Sequence, residues 1–153
     1  MSFKNQTLIF LATGAWVGKI PFAPGTFGTV LGLPICWLLS GLNDFYAAVI
    51  TVVFIFAAIV IAHRAEILLG AKDPGCIVID EIAGMFVALL GLPFNTFTAL
   101  AGFAIFRSLD IAKPFPIRQL DQRIKGGVGI VLDDVAAGIA TNLILRMLLT
   151  LIK

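Results

Sequence analysis

The stretch "IAGMFVALLGLPFNTFTALAGFAIF", residues 82–106, decides the fold, because it contains no charged residue and is interrupted at its centre. A bilayer core about 30 Å thick is crossed by about 20 apolar helical residues, so the stretch is long enough to cross once. The segment "GLPFN" at 91–95 places Gly, Pro and Asn where a turn would form. The stretch therefore predicts either one crossing or a broken helical hairpin that turns at Pro93.

The distribution of basic residues favours the hairpin. A turn at Pro93 leaves only Arg146 and Lys153 on the far face of the membrane. The near face then carries Lys4, Lys19, Arg64, Lys72, Arg107, Lys113, Arg118, Arg123 and Lys125. This excess of positive charge predicts that the near face is cytoplasmic. Because each half of the hairpin is too short to span the bilayer, we expect a re-entrant pair packed inside a helical bundle.

The composition predicts an all-α, polytopic integral membrane bundle. The chain has 153 residues, of which 59% are hydrophobic and 13% charged, whereas soluble domains carry about 25% charged residues. Besides residues 82–106, long apolar runs cover 29–42, 45–62 and 135–152, and only "SGLND" separates the first two. No linker or repeat divides the chain, so we expect a single membrane-embedded domain over residues 1–153.

The charge balance excludes several classes of function. The net charge is only +2, and no basic run is interleaved with aromatic residues, so a nucleic-acid partner is not expected. Two cysteines give neither a disulfide framework nor a CxxC metal site. The expected partners are the bilayer and a phospholipid, and the sequence leaves the oligomeric state open.

Five acidic residues lie close to the ends of long apolar segments: Asp80, Glu81, Asp110, Asp133 and Asp134. A carboxylate near hydrocarbon is costly unless a cation compensates it. Each adjacent pair alone is compatible with helix capping, in which acids complement the helix dipole. The two pairs together with Asp110 favour a divalent cation instead. Carboxylate oxygens suit Mg²⁺ or Mn²⁺ rather than Zn²⁺.

Arg107, Asp110 and Lys113 follow the apolar stretch at three-residue spacing, which predicts one broad helix face. Pro114 should end that helix, because the residue before a proline avoids the helical conformation. The three side chains form either an ion pair within the helix or a phosphate-binding surface. On such a surface Arg and Lys bind the anion, and Asp serves as a metal ligand or a base.

The motif "PGTFGT" at 24–29 supplies two further candidates. A Gly-Thr turn that opens a helix presents free backbone N–H groups, which can hold a phosphate. Thr26 and Gly28 are therefore candidate substrate-binding residues. A simple N-cap formed by Thr26 is equally compatible with the motif.

Missing motifs narrow the chemistry. His63 is the only histidine, so a phosphatase that uses two histidines is excluded. No Arg follows a cysteine by six positions, which excludes the cysteine phosphatase loop, and no DxDxT run supports an aspartyl-phosphate phosphatase. The spaced aspartates of CDP-alcohol transferases are also missing. The remaining chemistry is that of a metal ion bound by carboxylates, which acts on a phosphate held by Arg and Lys.

Four ordered motifs resemble those of the phosphatidylglycerophosphatase A family: "PGTFGT", "VIDEIAGMFVAL", "FRSLDIAKPFPIRQLD" and "GGVGIVLDDVAAGI". They cover most of residues 24–139. The resemblance implies a multi-pass enzyme of the bacterial inner membrane whose active site faces the cytoplasm. It further implies that the enzyme uses Mg²⁺ to hydrolyse phosphatidylglycerophosphate to phosphatidylglycerol and inorganic phosphate.

Carried over by position, the resemblance assigns the acidic motif residues to Asp80, Glu81, Asp110, Asp133 and Asp134, and the basic ones to Arg107 and Lys113. Our hypothesis is that some of the carboxylates hold Mg²⁺ while Arg107 and Lys113 bind the phosphate. Asp80 or Asp134 would then orient water as a general base, and Asp110 is the third catalytic candidate. An aspartyl-phosphate intermediate is equally compatible with these residues.

Two other functions compete with the phosphatase. A small transporter or cation-binding membrane protein predicts charged residues inside at least two spans, whereas the interiors here are uncharged except for Arg146 near one end. A purely structural membrane subunit gives no reason for paired acids next to two apolar segments.

Overall fold

The computed structural model describes residues 2–152, with every side chain among them except that of Asp121. These residues form seven α-helices, a 3₁₀ turn at 17–19 and no strand, which confirms the all-α prediction. Lys153, assigned to the far face, lies outside the described residues. The helices are α1 (Phe3–Ala12), α2 (Pro24–Ser40), α3 (Asp44–Leu69), α4 (Ile79–Leu89), α5 (Thr96–Ala112), α6 (Ile117–Arg123) and α7 (Gly126–Ile152).

The uncharged stretch 82–106 is broken at 90–95, between α4 and α5. Asn95 forms the N-cap of α5, so the polar residue of "GLPFN" serves to restart the helix. The two helices run antiparallel, since Gly84 near the start of α4 lies against Phe106 near the end of α5. The break that the sequence predicts at 91–95 is therefore present, and the chain reverses direction there.

α3 and α7 are the two described helices that are long and apolar enough to cross a membrane, with 26 and 27 residues. At 1.5 Å per residue each is about 40 Å long. Their length and composition indicate a membrane association. α2 is a shorter apolar helix that contains Pro34. Asn43 begins α3 by accepting a hydrogen bond from the N–H of Phe45 (2.9 Å).

α4 is the central helix of the molecule. Nine of its eleven residues are buried, and it packs against α2, α3, α5 and α7. Its crossing with α7 is close enough to exclude side chains: a Cβ on Gly138 would lie 2.4 Å from the carbonyl oxygen of Gly84. A Cβ on Gly84 would in turn lie 2.8 Å from the carbonyl oxygen of Asp134. The small residues at this crossing therefore set the distance between two helices that both carry acidic pairs.

Candidate active site

The first acidic pair, Asp80 and Glu81, lies in the first turn of α4. Asp80 is only 8% exposed. The N-cap position is Val78, and no side chain caps this helix, so the pair complements the helix dipole without acting as a cap. Burial raises the pKa of the Asp80 carboxyl well above its usual range, and the neighbouring Glu81 carboxyl raises it further. Burial also raises the pKa of Glu81.

The second acidic pair, Asp133 and Asp134, lies inside a helix rather than at its start. α7 begins at Gly126, so both residues come about two turns after its first residue, and both are buried. Capping, which the sequence left open for this pair, is therefore wrong. Two adjacent carboxylates inside an apolar helix require compensation by cations or by protons.

Arg107 connects the carboxylates of two helices. Its Nη1 donates a hydrogen bond to Oδ2 of Asp110, one turn further along α5, and lies 3.8 Å from Oε1 of Glu81 on α4. The predicted helix face is therefore confirmed for Arg107 and Asp110. The ion pair within the helix is therefore present, and Arg107 also contacts a carboxylate of a second helix.

Lys113 contacts α7. It is the C-cap of α5, directly before Pro114, and has left-handed backbone geometry with φ 43°. Its Nζ donates to Oδ2 of Asp133 at 2.5 Å. Asp133 is grouped with Asp110, so Lys113 binds at the same place as the other two residues of its motif. Arg107 and Lys113 thus bridge α5 to α4 and to α7 respectively.

The five predicted carboxylates meet at one place in two overlapping groups. The first group is Asp80, Glu81 and Asp134, and the second is Asp110, Asp133 and Asp134. In each group, one ligand oxygen per residue lies within 4.8 Å of the others. We call the five residues together the carboxylate cluster. Asp134 belongs to both groups and is their common member.

The cluster has the properties of a site for a hard divalent cation. Oδ1 of Asp80 and Oε2 of Glu81 are buried and have no hydrogen-bond partner among the described residues. All the available ligand atoms are carboxylate oxygens, which match the preference of Mg²⁺ and Ca²⁺ and not that of Zn²⁺. A buried carboxylate oxygen without a partner is costly, and a cation would remove that cost.

The motif at 24–29 contributes to this place through a residue that the sequence did not single out. A Cβ on Gly25 would lie 2.1 Å from Oε1 of Glu81 and 3.1 Å from Nη2 of Arg107. The start of α2 thus lies directly on the cluster, and only glycine fits there. The glycine in "PGT" was a usable signal, because glycine permits close backbone contact.

The two predicted substrate-binding residues of this motif lie elsewhere on α2. The N-cap is Ala23, so the capping role considered for Thr26 is wrong. Thr26 lies in the first turn, where its N–H already donates to the carbonyl of Ala23 (3.0 Å). Gly28 is buried against Val78, whose Cβ would be 2.6 Å from an added Cβ. Gly28 thus has a packing function in this structure.

The chain matches the family model "Phosphatidylglycerophosphatase A" over residues 10–149. It is 38% identical over 130 residues to the phosphatidylglycerophosphatase A of Escherichia coli (strain K12), an alignment that covers 84% of this chain and 76% of the relative. The enzyme of the same name from Haemophilus influenzae is 38% identical over 131 residues, covering 84% and 80%.

A third relative carries a different name. The Bacteroides thetaiotaomicron protein named "Putative phosphatidylinositol-3-phosphatase" is 38% identical over 147 residues, covering 91% of both chains. No solved structure matches the chain. The family model spans all the helices that carry the carboxylate cluster, and the two relatives named for this family agree with it over most of the chain. The chain belongs to the phosphatidylglycerophosphatase A family.

Proposed function

We propose that the chain is a Mg²⁺-dependent lipid phosphatase that hydrolyses phosphatidylglycerophosphate to phosphatidylglycerol and inorganic phosphate. Family membership supports the reaction class, since members are phosphoric monoester hydrolases. The observation that carries the proposal is the convergence of five carboxylates and two basic side chains at one end of the helical bundle. This combination suits a metal-assisted reaction on a phosphate group.

The metal would be held by members of the carboxylate cluster. Asp134 belongs to both groups, so it is the residue that any cation in the cluster would contact. A bound Mg²⁺ would withdraw charge from the phosphate oxygens as the phosphoryl group is transferred. Asp80 and Asp134 are the candidates to orient the attacking water, because the oxygens of both face the same space as Glu81. Asp110 is placed to ligate the metal in the second group.

Arg107 and Lys113 would bind the phosphate while they stay paired with carboxylates. Arginine has five N–H donors, and Nε of Arg107 is buried with no hydrogen-bond partner. Nζ of Lys113 donates to Oδ2 of Asp133. Arg107 would therefore offer a donor to a phosphate in addition to its ion pairs, and Lys113 would add its positive charge. Because Gly25 adds no side chain, the start of α2 can lie against Glu81 and Arg107 and hold them in place.

The proposed topology is a multi-pass domain over residues 1–153 of the bacterial inner membrane. α3 and α7 would span the bilayer, and α4 and α5 would form the re-entrant hairpin, since eleven residues extend only about 16 Å. The carboxylate cluster would then lie at the cytoplasmic face, next to the basic residues that favour that side. The substrate's acyl chains stay in the bilayer, so its phosphate would reach the protein at this level.

The transporter alternative now rests on a single helix. Asp133 and Asp134 do lie within α7, one of the two candidate spans. α3, the other candidate span, has no charged residue between Asp44 and His63. A cation path through the membrane would need polar groups on both. The structure therefore favours a site at one face of the bundle.

The proposal is tested by phosphate release from purified protein in detergent. Phosphatidylglycerophosphate, phosphatidylinositol 3-phosphate and lysophosphatidic acid would be compared, each with Mg²⁺ and with excess chelator. We expect Mg²⁺-dependent release that is fastest with phosphatidylglycerophosphate. Release that persists in chelator would contradict the metal requirement. Faster release from phosphatidylinositol 3-phosphate would assign the chain the activity for which the Bacteroides relative is named.

A further inference from the structure

A groove between α3 and α7 lies outside the carboxylate cluster. Its volume is about 380 Å³, and none of the five clustered carboxylates lines it. Its apolar lining comes from Ile59, Val60, Gly127 and Val128. The remaining lining residues are His63, Arg64 and Lys125, which lie at the last turns of α3 and just before α7. The groove therefore combines an apolar section with a basic end.

The groove exists because the two helices touch through their backbones at this end. A Cβ on Gly127 would lie 2.1 Å from the carbonyl oxygen of Ile59 and 2.6 Å from the amide nitrogen of His63. The helices thus meet without side chains, while Val60 and Val128 beside the contact stay 61% and 42% exposed. The result is an open apolar depression between the two candidate membrane spans.

Arg64 and Lys125 supply the positive charge at the groove. Neither Arg64 nor Lys125 forms an ion pair in the described part of the chain, and no carboxylate lines the groove. The neighbouring cavity, which Lys125 also lines, contains Glu66 and Asp73, and Oε1 of Glu66 accepts a hydrogen bond from the N–H of Asp73 (3.2 Å). Two basic side chains beside an apolar depression are complementary to an amphiphile with an anionic head.

We propose that this groove binds one anionic phospholipid of the bilayer. Its headgroup phosphate lies between Arg64 and Lys125, and an acyl chain follows Val60 and Val128 between the helices. The groove contains no acid that could hold a metal, so this lipid is bound without being hydrolysed. The site is therefore additional to the proposed phosphatase site, although both lie at the same end of α7.

The test is retention of defined lipids by the full-length protein in a neutral detergent, counted by native mass spectrometry. Phosphatidylserine is the anionic probe, since it is neither substrate nor product of the proposed reaction, and phosphatidylcholine with the same acyl chains is the zwitterionic control. We expect the wild-type protein to retain one phosphatidylserine in preference to phosphatidylcholine. Removing each cation should weaken retention about fivefold. The variants are Arg64→Gln, Lys125→Gln and the double variant.

A second variant tests the apolar part of the groove without changing charge. Val128→Trp places a large side chain in the depression and should also reduce phosphatidylserine retention. Arg118→Gln removes an exposed charge from α6, outside the groove, and should leave retention unchanged. A photoactivatable phosphatidylserine should crosslink to peptides that contain Val60 or Val128.

Three results would overturn the proposal. Equal retention of phosphatidylcholine would show that the groove does not select lipids by the charge of the headgroup. An equal loss in Arg118→Gln would show a general effect of surface charge, and unchanged retention in both the double variant and Val128→Trp would place the lipid elsewhere. Because the readout is lipid retention, a protein without phosphatase activity can still pass or fail this test.

Discussion

Asp134 is the carboxylate on which the candidate active site depends most, because it is the member that the two groups share. Asp134→Asn keeps the size of the side chain and removes its charge. We expect phosphate release to fall by about 10³-fold or more, since a metal ligand or catalytic acid-base group is lost. The measurement is initial rate at saturating Mg²⁺.

The control for this variant is Asp44→Asn, which changes an acid at the start of α3, at the other end of the molecule. It should keep the wild-type rate. A rate for Asp134→Asn within tenfold of wild type, in protein that elutes normally in gel filtration, would contradict the assignment of Asp134.

Gly25 offers a second test at the scale of one residue. Gly25→Ala would place a methyl group 2.1 Å from Oε1 of Glu81, so Glu81 and Arg107 must move apart. We expect activity to fall at least about tenfold, because small displacements of catalytic groups are costly. Gly75→Ala is the matched control, since an added Cβ there meets nothing within 4 Å. Equal rates in both variants would show that the start of α2 does not constrain the site.

The raised pKa values of Asp80 and Glu81 predict how stability depends on pH when no metal is bound. The pKa of each carboxyl is higher in the folded state than in the unfolded state. At pH values between the two pKa values, the folded state therefore binds more protons. Stability should therefore fall as pH rises from the usual carboxyl range, about 4, through the raised pKa. We expect the melting temperature in chelator to decrease from pH 5 to pH 8.

Added Mg²⁺ should reverse this decrease, because it compensates the ionised carboxylates. The gain from Mg²⁺ should be larger at pH 8 than at pH 5, and smaller in Asp80→Asn than in wild type. A melting temperature in chelator that rises steadily from pH 5 to pH 8 would contradict the raised pKa values.

At the level of single residues, the sequence predicted the members of the cluster but not their pairing. Five acids beside apolar segments are visible in the sequence, since charge is scarce there. Which cation meets which acid depends on backbone geometry, such as the left-handed cap at Lys113 that directs it to Asp133. The contact of Gly25 with Glu81 depends on how α2 packs on α4, which no local pattern reports.

Among the helices, the end of α4 is held by side chains from α7. Nδ2 of Asn142 lies within hydrogen-bond distance of the carbonyls of Val87, Ala88 and Leu90, at 3.2, 3.0 and 2.9 Å. Arg146 donates to the carbonyl of Leu90 as well, at 3.1 Å. The last carbonyls of a helix have no hydrogen-bond donors within that helix, and here α7 supplies the donors. Arg146, which the sequence placed near an interface, thus binds the turn of the hairpin.

Asn142→Leu should therefore weaken the attachment of α4 to α7. The carbonyls lose their donor in a partly buried place, which costs about 1–3 kcal/mol. We expect the melting temperature to fall by about 5 °C or more, together with a loss of activity. Thr150→Ala on the same helix, which loses only a bond to the carbonyl of Met147, should change neither. A melting temperature within 1 °C of wild type for Asn142→Leu, on the same scale, would contradict this function.

The ends of helices were predictable from sequence where helix-breaking residues mark them. They were missed where tertiary packing determines where a helix begins. Gly, Pro and Asn at 91–95 mark the hairpin turn. In contrast, α7 begins nine residues before the apolar run at 135, with the sequence "GGVG", whose glycines disfavour a helix. The contact of Gly127 with the backbone of α3 explains why glycine is required there. That contact is a tertiary interaction and leaves no periodic signal.

For the whole molecule, the hairpin predicts which residues share a face of the membrane. Single cysteines at Lys72 and Arg118, in a background without Cys36 and Cys76, should react with a membrane-impermeant reagent only from the cytoplasmic side. A cysteine at Ser40, at the far end of α2, should react only from the other side. Modification of the position 72 and position 118 cysteines from opposite sides would rule out the proposed topology.

The crossing of Gly84 and Gly138 has a consequence for how the protein tolerates different bilayers. Because no side chain separates α4 from α7 there, neither helix can shift along the other without a backbone collision. A change in hydrocarbon thickness that tilts α7 must carry α4 with it. This backbone contact should keep the spacing between Asp80 and Asp134, so thinner or thicker lipid mixtures would reorient the candidate cation site without dilating it.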